Sequence, residues 1–196
     1  MIKKWFAIIN DHRISLYDRM FRIVTVICMF ALVLILPMGR SIWNILVLAV
    51  SLVAMGLIVK FSIQRGRIQA GATAISVLLL LMFPISFFTA GGFYSGVPEW
   101  FIFCFIYVCI TLHGRRMTVF FILCMVETLL CYGFAFYFPG LVAQNTQQAS
   151  FFDSAFSVVM VGVLTSVLLM FLNKMYQEEN KLSQQQKKEI EELNRA

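Results

Sequence analysis

Three acids stand where an apolar chain makes charge costly. Glu99 lies in 89-TAGGFYSGVPEWF-101, a glycine-rich stretch between two long apolar runs. Glu127 falls near the middle of the next run but one, and Asp153 near the start of the last. A glycine-rich loop can cradle a phosphate on its backbone N–H groups. No G-x-x-x-x-G-K-[ST] is present to support that chemistry here. A second possibility is a small-ligand cup in which Phe93, Tyr94, Glu99 and Trp100 meet the other loop on the same side, with Asp153 at the top of the last helix. Glu127 is the third case. A charged group at the centre of a bilayer costs at least a few kcal/mol, so it is expected to face the interior of the bundle. There it would be protonated, or bond to a hydroxyl such as Tyr107, Tyr132 or Thr73. It is either a proton- or ligand-linked switch or an interhelical hydrogen bond that fixes packing.

Other reactive residue types are present but not arranged for chemistry. His12 and His113 have no carboxylate at ligand spacing and are read as interfacial rather than metal-binding. Cys28, Cys104, Cys109, Cys124 and Cys131 all fall in apolar runs and form no C-x-x-C, so they are read as small buried residues. There are no paired acids, no Ser-His pair and no metal set. No catalytic residue, metal or cofactor is expected.

The elements that must position these residues are membrane helices. Hydrophobic residues make up 60% of the 196 and charged residues only 13%, against roughly half and a quarter in soluble domains. Six apolar runs are found: Ile23–Pro37, Ile42–Val59, Ala70–Phe88, Trp100–Leu112, Thr118–Phe138 and Phe152–Leu172. Continuous rather than alternating runs favour helices over a barrel. Six spans put both termini on one side. All of the 16 Lys and Arg residues except Arg40 then lie on that side, which makes it cytoplasmic by the positive-inside rule. The net charge of +6 thus reports orientation and contact with anionic lipid, and nucleic acid is not an expected partner. The predicted fold is an all-α six-span bundle over 22–172. A short interfacial segment over 1–21 precedes it and a cytoplasmic segment over 173–196 follows. The first run resembles a signal sequence, but no small-x-small site follows Leu36, and an uncleaved helix is expected.

On this topology 89–101 is external and out of reach of cytosolic ATP. Each of its residues also has a structural explanation. Gly91 and Gly92 can stop the third helix. Pro98 suits the first turn of the fourth, and Glu99 beside it favours the positive end of the helix dipole. Trp100 and Phe101 suit an aromatic belt. Ser150 and Asp153 have the spacing of a capping box for the sixth helix.

After Leu172 the chain reads NKMYQEENKLSQQQKKEIEELNRA, free of Gly and Pro. The sixth helix is expected to continue through it into the cytoplasm. Leu168, Leu172 and Met175 begin a 4-3 pattern, Glu179 and Leu182 keep it, and Ile190 and Leu193 resume it after a stutter. A parallel homodimeric coiled coil is expected, carrying a signal through Leu172, Met175, Leu182, Ile190 and Leu193. A solvated polar tail is the alternative.

Six spans, GGFYSGVPEWF, the Tyr-Phe-Pro-Gly exit from the fifth span and the terminal EIEELNRA resemble the multispan membrane input regions of bacterial sensor histidine kinases. Related regions head diguanylate cyclases. The resemblance implies a two-component receptor in the bacterial inner membrane. Its stimulus would be a small ligand or a physical signal, and its catalytic core would lie beyond Ala196. The family's phosphoacceptor box, S-H-E-[IL]-R-T-P, has no counterpart here, so no catalytic role passes to any residue of this chain. A six-span transport component, such as the substrate-binding membrane subunit of an importer, is the competing expectation. The polar helical tail argues against it.

Overall fold

The computed structural model describes residues 16–39 and 41–193. The expected interfacial stretch before Leu16, with His12, and the lone outside cation Arg40 lie outside these residues. Among the described residues the chain is helical throughout, with no strand. Six α-helices follow in order: α1 Leu16–Ile35, α2 Ile42–Gln64, α3 Ile68–Ala90, α4 Val97–Thr111, α5 Arg115–Tyr137 and α6 Gln147–Leu193. Short 3-10 turns at Leu36–Met38, Gly92–Tyr94 and Pro139–Leu141 join α1 to α2, α3 to α4 and α5 to α6.

Local sequence sets these boundaries. Pro37 cannot extend α1. The Ser41 hydroxyl caps α2 by accepting from the Asn44 N–H at 3.0 Å. Gly91 ends α3 in the left-handed region at φ 119°, its N–H returning to the Phe87 carbonyl. Pro98 sits in the first turn of α4.

Four helices, α2, α3, α5 and α6, are long and apolar enough to cross a membrane. The three of 23 residues are each about 34 Å long, against a hydrocarbon core of about 30 Å. The other two predicted spans fall short for separate reasons. Asp18, Arg19 and Arg22 occupy the first turns of α1, and α4 has only 15 residues, about 22 Å.

Both of these helices bury much of their surface against the rest of the bundle. Helix α4 packs against α1, α3, α5 and α6 and buries Trp100, Phe101, Phe103, Cys104, Tyr107, Val108 and Thr111. Helix α1 buries Phe21, Val24, Thr25, Cys28, Ala31 and Leu32. A helix surrounded by protein need not match the thickness of lipid. The outward faces of α2, α5 and α6 expose Val50, Val53, Ile122, Leu129, Val159 and Leu169, as contact with bilayer requires.

The bundle has two unlike ends. One carries the turns after α1, α3 and α5 and is called here the glycine-loop end. The other carries Arg65, Arg67, Arg115 and Arg116 at the α2–α3 and α4–α5 turns and is called the basic end. From the basic end α6 continues as a free helix. Its 47 residues make it about 70 Å long.

Candidate functional site

The stretch 89–101 is not a free loop. It is clamped to the first turns of α6 by three hydrogen bonds. The Gly96 N–H donates to Asp153 Oδ2 at 3.0 Å, the Ser154 hydroxyl to Glu99 Oε1 at 3.0 Å, and Trp100 Nε1 to Ser157 Oγ at 3.1 Å. Residues 153 and 154 both share a face of α6 with 157, which lies four and three residues further on. Gly96 is required by this contact. A Cβ there would lie 1.8 Å from Ser157 Oγ and 2.7 Å from the Asp153 carbonyl oxygen.

A second layer closes the same end. The Ala143 N–H donates to the Phe88 carbonyl at 2.9 Å, and the Asn145 side chain donates to the Ala90 carbonyl. Both bonds satisfy carbonyls that the end of α3 leaves orphaned. Asn145 presses on Gly91 so closely that a Cβ there would meet its side-chain nitrogen at 2.1 Å. The two loops therefore lock α3, α4 and α6 together.

Beneath this lock lies a cavity of about 60 Å³. Helices α1, α2, α3, α4 and α6 all contribute walls. Most of the wall is apolar. Its polar points are Asn44, Ser86, Asp153 and Ser157. Asn44 is buried and donates through Nδ2 to Thr89 Oγ1 at 3.2 Å.

The expected ligand cup is only partly assembled. Trp100 and Asp153 reach the cavity wall, whereas Phe93, Tyr94 and Glu99 do not. Trp100 is not part of an interfacial belt. It is 6% exposed and spends its N–H on Ser157. Phe93 packs edge-on to Phe87 and Tyr132, with centroids 5.9 and 4.9 Å apart. Tyr94 is exposed at the surface. The capping box at Ser150 is absent because α6 starts earlier, at Gln147, and Asp153 caps α4 instead of its own helix.

Glu127 stands apart from the hydroxyls named for it. It is half-buried on α5, and Oε1 is buried with no hydrogen-bond partner. The hydroxyls proposed to meet it are elsewhere. Tyr107 pairs with Thr25 at 3.4 Å, and Thr73 donates to the Gln69 carbonyl. Tyr132 packs on Phe87 and Phe93.

At the basic end α6 is held a second time. Arg19, almost buried on α1, pairs with Glu178 at 3.3 Å. The Tyr17 hydroxyl donates to the Thr111 carbonyl, and the Tyr17 ring stands against His113 at 4.5 Å. Leu168 and Met175 are buried in the chain's own core and Leu172 packs against it. Those positions of the expected seam are therefore occupied within one copy. Beyond them every described side chain from Asn180 to Glu192 is exposed, Ile190 included. Leu182 and Leu193 lie on the helix, their side chains outside the described set.

Sequence reasoning missed Asn44, Ser86, Ser154, Ser157, Asn145 and the Arg19–Glu178 pair. One signal was available: Asp153, Ser154 and Ser157 interrupt the apolar run that follows Ser150. No protein-family model, curated protein or solved structure matches the chain.

Proposed function

We propose that the chain is the signal-input region of a bacterial receptor, built as six membrane spans with the basic end in the cytoplasm. In this reading it belongs to a sensor histidine kinase. The observation that carries it is the course of α6. One unbroken helix carries the three-bond clamp to 89–101 near its start, crosses the bundle and leaves it as a tail whose described side chains from Asn180 to Glu192 are exposed. A change in the clamp can shift or rotate that helix, and a rigid helix delivers the same motion at its far end.

Two copies pair through the tail in this proposal. Since Leu168, Leu172 and Met175 are used within one bundle, pairing starts beyond Glu178, with Leu182, Ile190 and Leu193 as its apolar positions. Contact with anionic lipid at the basic end completes the arrangement.

The test is disulfide crosslinking in native membranes. Single cysteines are placed at each position from 180 to 193 in a chain whose own five cysteines are replaced. Crosslinks recurring at a spacing of about 3.5 residues support paired parallel tails. Uniform or absent crosslinking sinks the receptor reading. The reading frame that follows Ala196 tests the output. A histidine-kinase core supports the proposal, a nucleotide-cyclase domain replaces the output, and a stop followed by transporter genes overturns it.

A further inference from the structure

The cavity beneath the clamp holds an unused hydroxyl. Ser86 is 4% exposed, lines the cavity, and its Oγ has no hydrogen-bond partner. Six helical hydroxyls elsewhere among the described residues return to the carbonyl four residues back. Thr73, Ser76 and Thr89 do so in the same helix, and Thr111, Thr128 and Ser166 in others. Among the described residues only Ser86 and Thr165 have a hydroxyl oxygen fully shut off from solvent and without a partner, and Thr165 does not line this cavity. Buried polar groups are normally satisfied, so an orphan at a cavity wall marks a place where a partner belongs.

The rest of the wall sets the chemistry of that partner. Ser157 Oγ accepts from Trp100, which leaves its own O–H to give. Two hydroxyl donors thus face one small space. No Lys or Arg lines it, and the Asp153 carboxylate is engaged with the Gly96 N–H. Asn44 gives its Nδ2 to Thr89, and Leu32, Leu48, Leu79, Met82, Phe83 and Phe156 are among the apolar residues of the rest of the wall. The volume of about 60 Å³ has room for roughly four water-sized groups.

We infer that the cavity binds a small uncharged amphiphile of alcohol, ketone or ester type, its oxygen on Ser86 and Ser157 and its short apolar body against α1, α2 and α3. Two of the wall residues, Asp153 and Ser157, belong to the clamp. An occupant therefore touches the start of α6 directly. The signalling consequence rests on the receptor reading, but binding itself does not.

The probe is 1-propanol, which has four heavy atoms. The full chain is placed in lipid nanodiscs and saturation transfer to 1-propanol is measured by NMR, with empty nanodiscs as control. Wild type is expected to give transfer above the control, and Ser86→Ala about fivefold weaker binding. Thermal unfolding of both checks that Ser86→Ala leaves the fold intact. A Ser86→Leu variant, which fills the space, is expected to abolish the signal. Equal signals from wild type, both variants and empty nanodiscs indicate partition into the bilayer only, and overturn the inference. Ordered water at Ser86 that 1-propanol does not displace overturns it as well. The tail crosslinks separate the two ideas. Binding with uniform or absent tail crosslinks keeps the site and removes the receptor reading. Paired tails without binding do the reverse.

Discussion

Asp153 shows how one side chain acquires its role from what it touches rather than from where it stands in the sequence. Its spacing from Ser150 suggested a cap for α6. In the fold its carboxylate caps α4 by accepting the Gly96 N–H. That N–H has no other acceptor of its own, so removing the carboxylate orphans it. Asp153→Ala is expected to destabilise the chain by about 1–3 kcal/mol, while Asp153→Asn, which keeps an acceptor oxygen, stays close to wild type. Thermal unfolding in nanodiscs distinguishes the two, and equal losses would mean that the charge rather than the bond matters. Glu127 is the opposite case, a carboxylate whose Oε1 is buried without a partner. An apolar residue of similar size removes that burden. Glu127→Met is expected to raise the unfolding midpoint, and a fall would show that the carboxylate has an unseen partner.

At the scale of elements, α6 is gripped at both ends of the bundle, by the clamp and by Arg19–Glu178. The second grip is the more testable. Its arginine is 9% exposed and its glutamate 33%, so screening is incomplete and a double-mutant cycle of Arg19→Ala and Glu178→Ala should give a coupling of about 1 kcal/mol, shrinking as salt is raised. Much at this scale was legible beforehand. Long apolar runs and the Pro37, Gly91 and Pro98 signals located the helices closely, because caps and breakers act within a few residues. The partners of those helices were not legible. Met175 reads as a coil position until it is seen to be buried within one copy, and Trp100 reads as a belt residue until Ser157 takes its N–H. Such pairings span more than 50 residues of chain and leave no local trace. The small polar residues of the cavity wall were overlooked for the same reason, since Ser86 looks like any serine in a helix until its neighbours are in place.

For the whole molecule, the proposed function commits to an orientation, with the basic end in the cytoplasm. A cysteine at Thr146, near the glycine-loop end, should react with a membrane-impermeant maleimide added outside intact spheroplasts. One at Arg65, at the basic end, should react only after lysis. The reverse pattern would invert the proposed topology. The unbroken course of α6 also restricts how such a chain can change length. Each added residue turns everything after it by about 100° and advances it by 1.5 Å. An insertion between Ser157 and Asn180 that is not close to a whole number of turns would leave the tail pointing the wrong way for any fixed downstream partner. Viable length variants of this architecture should therefore come in steps of about 7 or 11 residues, like a thread that accepts its nut only at certain rotations.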